Sequence, residues 1–102
     1  MKIVHTEASC GWCGQEIRIL EESKGLMERG HQVTVLCPGE SRIFVEAARW
    51  GVATEALPIG GKNVKGVLAL RRWLKRHDVD IVNTHSSTDS WLAGVACAML
   101  SN

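Results

Sequence analysis

Gln32-Val33-Thr34-Val35-Leu36-Cys37, closed by the turn signal Pro38-Gly39, is a short β-branched run that directly follows an amphipathic one. Residues 15–29 put Ile19, Leu20, Ser23, Leu26 and Met27 on one side at helical spacing. Gly30 follows, where a left-handed helix end is cheap for glycine. Ahead of that helix, residues 2–6 form another strand-like run, joined to it by the Gly-containing loop 8–14. Strand, helix and strand in this order make a βαβ unit, which calls for a parallel sheet and a right-handed crossover.

The alternation continues outward. A helix is expected over 41–50, with Ser41 as N-cap and Gly51 as stop, then a strand over 52–57. A third helix over 63–77, a strand over 79–84 and a helix over 89–100, capped by Ser87, Thr88 or Asp89, complete the chain. Val33–Leu36 and Ile81–Val82 are apolar with little alternation, as expected of strands with helices on both faces. The fold class is therefore α/β: a three-layer Rossmann-like domain with a four-stranded parallel sheet and helices on both faces. Four strands are few for a doubly wound sheet, and no closing element follows residues 98–102. The expectation is an incomplete domain, a piece of something longer. Its last strand would be an open edge, and self-association through that edge, by exchange of the terminal helix, is expected.

At 102 residues, with 45% hydrophobic and 23% charged, the composition is that of one ordinary globular domain. A net charge of +1 gives no reason to expect a nucleic-acid partner. No apolar run is long enough to span a bilayer, and the N-terminus is too short in its apolar part for a secretory signal. A cytoplasmic location is expected, and the four cysteines then read as reduced thiols before disulfides.

The charge is unevenly placed. Residues 62–77 carry Lys62, Lys65, Arg71, Arg72, Lys75 and Arg76 with no acid. On a helical wheel Val64, Val67, Leu70 and Leu74 form the stripe expected to be buried. Lys65, Arg72, Lys75 and Arg76 take the opposite face, with Leu68 among them and Trp73 at the boundary. A solvated basic face is the plain reading. A contact with an anionic membrane surface, peripheral to the inner face, is the sharper one.

In open parallel sheets ligands bind at the carboxyl ends of the strands, near the reversal of strand order. The loops after the first and fourth strands hold most of the chemically interesting residues. Gly11-Trp12-Cys13-Gly14-Gln15-Glu16 opens directly into a helix, where backbone N–H groups suit a phosphate. It is neither a dinucleotide fingerprint nor a P-loop. Cys10-Gly11-Trp12-Cys13 is a Cys-x-x-Cys at a helix mouth, which supports an alternative reading as a small α/β binding or thiol-redox domain. Against it, a thioredoxin-like fold needs a central antiparallel pair and a proline facing the dithiol. A zinc site from Cys10, Cys13, Cys37 and His85 lacks the paired spacing of structural zinc modules, and Cys37 and Cys97 read equally well as small buried hydrophobes. His5 is read as strand interior, and His31 and His77 as structural.

Lys2-Ile3-Val4-His5-Thr6-Glu7, Gly14-Gln15-Glu16, Glu28-Arg29-Gly30-His31-Gln32-Val33 and Asp80-Ile81-Val82-Asn83-Thr84-His85-Ser86-Ser87 together resemble glycosyltransferase family 4, at the start of its N-terminal GT-B domain. The resemblance covers essentially the whole chain. It implies a retaining transfer of sugar from a nucleotide-sugar donor to a sugar, polysaccharide or lipid-linked acceptor in cell-envelope synthesis, with no cofactor and no required metal. By that resemblance Cys13, Gly14, Gln15 and Glu16 lie beside donor and acceptor, with Gly14 as the close-approach residue. His85 lines the cleft at the reacting sugar, and Ser86 and Ser87 face hydroxyls. Cys13 departs from the family's usual Gly pair and narrows the loop. The second GT-B domain is not in the chain, so little activity is expected of it alone.

Overall fold

The computed structural model describes residues 1–8, 14–85 and 87–100. Its elements run β1 (Lys2–Thr6), α1 (Gly14–Glu28), β2 (Gln32–Cys37), α2 (Arg42–Arg49), β3 (Ala53–Ala56), α3 (Val64–His77), β4 (Ile81–Thr84) and α4 (Ser87–Leu100). The sheet has the order β3-β2-β1-β4 and every pair is parallel. Ile3 lies opposite Val33 on one side and Ile81 on the other. The chain thus steps outward through β2 to β3, then crosses back to lay β4 against the free side of β1. An all-parallel sheet of this order excludes a thioredoxin-like fold.

Alternation along the strands splits the core into two layers. Val4 and Leu36 pack with Val67, Leu70, Trp73 and Leu74 of α3 and Leu92, Ala93 and Ala96 of α4. Val35 and Cys37 point to the other face and pack with Ile19 and Leu20 of α1 and Ile43 and Ala47 of α2. Ser23, on the expected buried side of α1, is fully enclosed and donates to the Ile19 carbonyl at 2.7 Å, so its hydroxyl is satisfied inside the helix. The helix ends follow local chemistry. Gly30 (φ 91°) and Gly51 (φ 71°) stop α1 and α2 in the left-handed region. Asn63 caps α3 by accepting from the Gly66 N–H at 2.7 Å. Ser41 precedes α2 in extended conformation, but its hydroxyl donates to the Pro38 carbonyl at 2.6 Å instead of capping.

Several expectations are corrected. Val64, expected in the apolar stripe of α3, is 71% exposed. At about 100° per residue it falls beside Leu68 and Lys75, roughly 120° from Leu70 at the middle of the buried face. Gly66 takes the inward place in the first turn: a Cβ there would stand 2.8 Å from the Pro58 carbonyl oxygen and 3.2 Å from Leu92. Trp73, expected at the boundary, is 8% exposed and belongs to the core, stacked on His77 with ring centroids 4.0 Å apart. Met27, expected on the buried side of α1, is 37% exposed, and Cys97 is exposed on α4 while Cys37 is buried. β4 is half exposed, unlike the doubly covered strand that its apolar run suggests, because it lies at the sheet edge. It also starts later than expected. Asp80 is occupied in lacing the start of β1, its N–H donating to the Lys2 carbonyl at 2.9 Å and its carboxylate accepting from the Lys2 N–H at 2.8 Å.

Candidate functional site

Strand order reverses at the β1–β4 pair, and the carboxyl ends of these two strands open at the same edge. β1 continues into Glu7 and Ala8, both buried, and the Glu7 N–H donates to the Leu36 carbonyl at 3.0 Å. Parallel pairing therefore runs one residue beyond the strand. α1 begins at Gly14, which is exposed, and among the described residues nothing lies within 4 Å of where a Cβ would stand. Among the described residues nothing therefore covers this side of Gly14, and a helix N-terminus suits an anion.

On the β4 side the junction is tied by one buried carboxylate. Asp89 Oδ2, in the first turn of α4, accepts from the Thr6 hydroxyl at 2.6 Å and from the His85 backbone N–H at 2.8 Å. A charged acceptor in a first helical turn is stabilised by the helix dipole, and hydrogen bonds to it are among the stronger ones. Ser90 adds a bond from its hydroxyl to Thr84 Oγ1 at 2.7 Å. The last residue of β1, the residue after β4 and the start of α4 are held as a unit.

The His85 ring is held as well. His5 is opposite Asn83 in the β1–β4 register, so His85, two residues on, extends the same face. Nδ1 of His5 lies 2.9 Å from Nε2 of His85, with the rings tilted by 33°. His5 is fully enclosed, and its Nε2 has no hydrogen-bond partner among the described residues. Burial lowers the His5 pKa from 6.5 to about 4; repulsion from His85 adds to the drop and Glu22 on α1 opposes it.

Of the residues expected at the site, Gly14 and His85 lie at this edge. Glu16 is there too, in the first turn of α1, but buried at 2% exposure instead of facing solvent. Gln15 and Ser87 are placed by their backbones in the first turns of α1 and α4. Cys13 and Ser86, with Cys10, lie outside the described residues. Among the described residues no group of three His, Cys, Asp or Glu side chains is placed to hold a metal ion. Of the expected membrane-facing set, Lys65, Arg72, Lys75 and Arg76 are exposed on α3 and Trp73 is not. Sequence reasoning missed Thr6 and the buried Glu7, took Asp89 only as a cap, and read His5 as mere strand interior. The available signal was the period of two: once β1 is set beside β4, His5 and His85 must share a face.

Residues 12–102 match the family model described as Glycosyltransferase Family 4. The chain belongs to glycosyltransferase family 4. Its fold is that of larger solved proteins. A glycosyltransferase from Rickettsia africae ESF-5 aligns with a TM-score of 0.75 at 21% identity, over 96% of this chain and 27% of that one. MurG from Acinetobacter baumannii aligns with a TM-score of 0.79 at 18% identity, over 97% of this chain and 32% of that one. These likenesses show the fold, and this family 4 chain spans less than a third of either solved protein's length. No curated protein matches it. Among its described residues, no helix is long and apolar enough to cross a membrane.

Proposed function

We propose that the chain is the N-terminal, acceptor-side Rossmann-like part of a GT-B glycosyltransferase that transfers a sugar, with retention, from a nucleotide-sugar donor. The acceptor is a sugar, polysaccharide or lipid-linked sugar of the cell envelope, and the chain works in the cytoplasm. The observation that carries this reading is that an exposed helix start at Gly14, after β1, and a doubly anchored His85, after β4, flank the point where strand order reverses. In this reading Gly14 admits the donor phosphate to the helix N-terminus and His85 meets the reacting sugar. Cys13, Gln15 and Glu16 flank the donor and acceptor, and Ser86 and Ser87 bond hydroxyls.

As one side of a two-sided cleft, these residues taken by themselves are expected to bind weakly and to turn over little. Calorimetric titration with UDP-sugars and GDP-sugars tests the reading. It is expected to give millimolar-range binding that His85→Ala abolishes. The absence of heat with every nucleotide-sugar, or binding unaffected by His85→Ala, would count against it.

The acceptor reading extends to a membrane. The outer face of α3 exposes Val64 and Leu68 between Lys65 and Arg72, a shallow apolar groove with cationic walls that also includes Pro58 and Ala69. Lys75 and Arg76 continue the charge. Such a face suits anionic lipid, with Leu68 and Val64 as its apolar members and Trp73 excluded by its burial. Flotation with anionic vesicles should exceed that with neutral ones and fall when Lys65 and Arg72 are replaced by Ser. Equal flotation on both would leave α3 a solvated face.

A further inference from the structure

We propose that His5 is a positioning residue that fixes the tautomer of His85: its Nδ1–H donates to Nε2 of His85, so neutral His85 carries its own proton on Nδ1. The 2.9 Å separation of the two nitrogens requires that one donate and the other accept. The reverse arrangement would move the His5 proton to its Nε2. That atom is buried with no partner among the described residues, and an orphaned buried N–H is the rarer and worse outcome. The choice matters because His5 has only one proton to place. Its burial and the neighbouring His85 keep it neutral, against the opposing pull of Glu22 from α1.

The consequence deepens the proposed function and rests on it. Nε2 of His85 is taken up as an acceptor, and the backbone of the same residue is fixed on Asp89. In this tautomer the other ring nitrogen, Nδ1, is a donor, so any second partner of the ring, from the protein or a substrate, meets an N–H and not a lone pair. Where that partner is a substrate oxygen, a sugar hydroxyl or a phosphoryl oxygen, it accepts a hydrogen bond from His85 and does not lose a proton to it. The arrangement also explains why a polar, titratable side chain occupies a fully enclosed strand position that an apolar one would fill at less cost.

Long-range proton–nitrogen correlation spectra of the uniformly nitrogen-15-labelled chain near neutral pH test this directly. Both rings are expected to show a protonated-type Nδ1 and a bare-type Nε2. A proton on Nε2 of His85 would overturn the proposal without any variant being made. His5→Phe should move His85 toward the Nε2–H form that an unconstrained imidazole favours. His5→Asn, whose amide donor stands where Nδ1–H stood, should restore the Nδ1–H form. An unchanged His85 tautomer in a folded His5→Phe variant would also overturn it. The spectrum needs no ligand, so its failure is separable from that of the glycosyltransferase reading, which would show as absent binding with the tautomer pattern intact.

Discussion

His5 binds a proton less readily in the folded chain than in the unfolded one, because folding seals it beneath the β1–β4 edge beside a second imidazole. Between pH 6.5 and about 4 the unfolded state therefore holds more protons on this residue. Stability is complete above that window and falls as the pH drops through it, by up to about 3 kcal/mol. Denaturant titrations across this range should show that loss, and His5→Phe should flatten it. A His5→Phe profile as steep as that of the parent would place the acid sensitivity elsewhere. At this scale the sequence was only partly legible. His85 stands out by its place after a strand, and Gly14 by its place before a helix. The pairing of His5 with His85, and of Thr6 with Asp89, spans about eighty residues and depends on which strands are neighbours, which local pattern does not encode.

The elements themselves were legible nearly throughout, because each is punctuated by its own chemistry: Gly30 and Gly51 at helix ends, Asn63 at a helix start, Pro38-Gly39 after β2. What apolar residues alone could not reveal along α3 was which of them its first turn buries. Gly66, with no side chain, is pressed there against Pro58 and Leu92, while Val64 lies on the exposed side of the helix and Trp73 on the buried one. Gly66→Ala must push the helix off the Pro58 carbonyl, and a loss of about 1–3 kcal/mol is expected, the usual range for overpacking. Thermal or denaturant unfolding measures it. A neutral Gly66→Ala would mean that the first turn of α3 has slack against Pro58 and Leu92. The half-covered β4 was misjudged for a related reason: an apolar run reads alike in a central strand and at an edge.

At the scale of the whole molecule, four parallel strands leave β4 with one outer side unpaired among the described residues, and Ile81 of β4 and Trp91 of α4, the helix that follows it, are substantially exposed. An open edge with apolar neighbours favours a second chain. We expect concentration-dependent dimerisation, with exchange of α4 as its structural route. Sedimentation velocity should show the weight-average mass rising with concentration, and a monomer at every concentration would contradict it. The proposed function lies at the same end of the molecule, with the β1–β4 edge as one side of a nucleotide-sugar cleft. The most direct measurement is an amide chemical-shift titration with UDP-sugars and GDP-sugars. Shifts are expected to gather at residues 13–16 and 85–87, with α3 and the amino ends of the strands unmoved. Shifts absent at millimolar ligand, or gathered away from that edge, would contradict it.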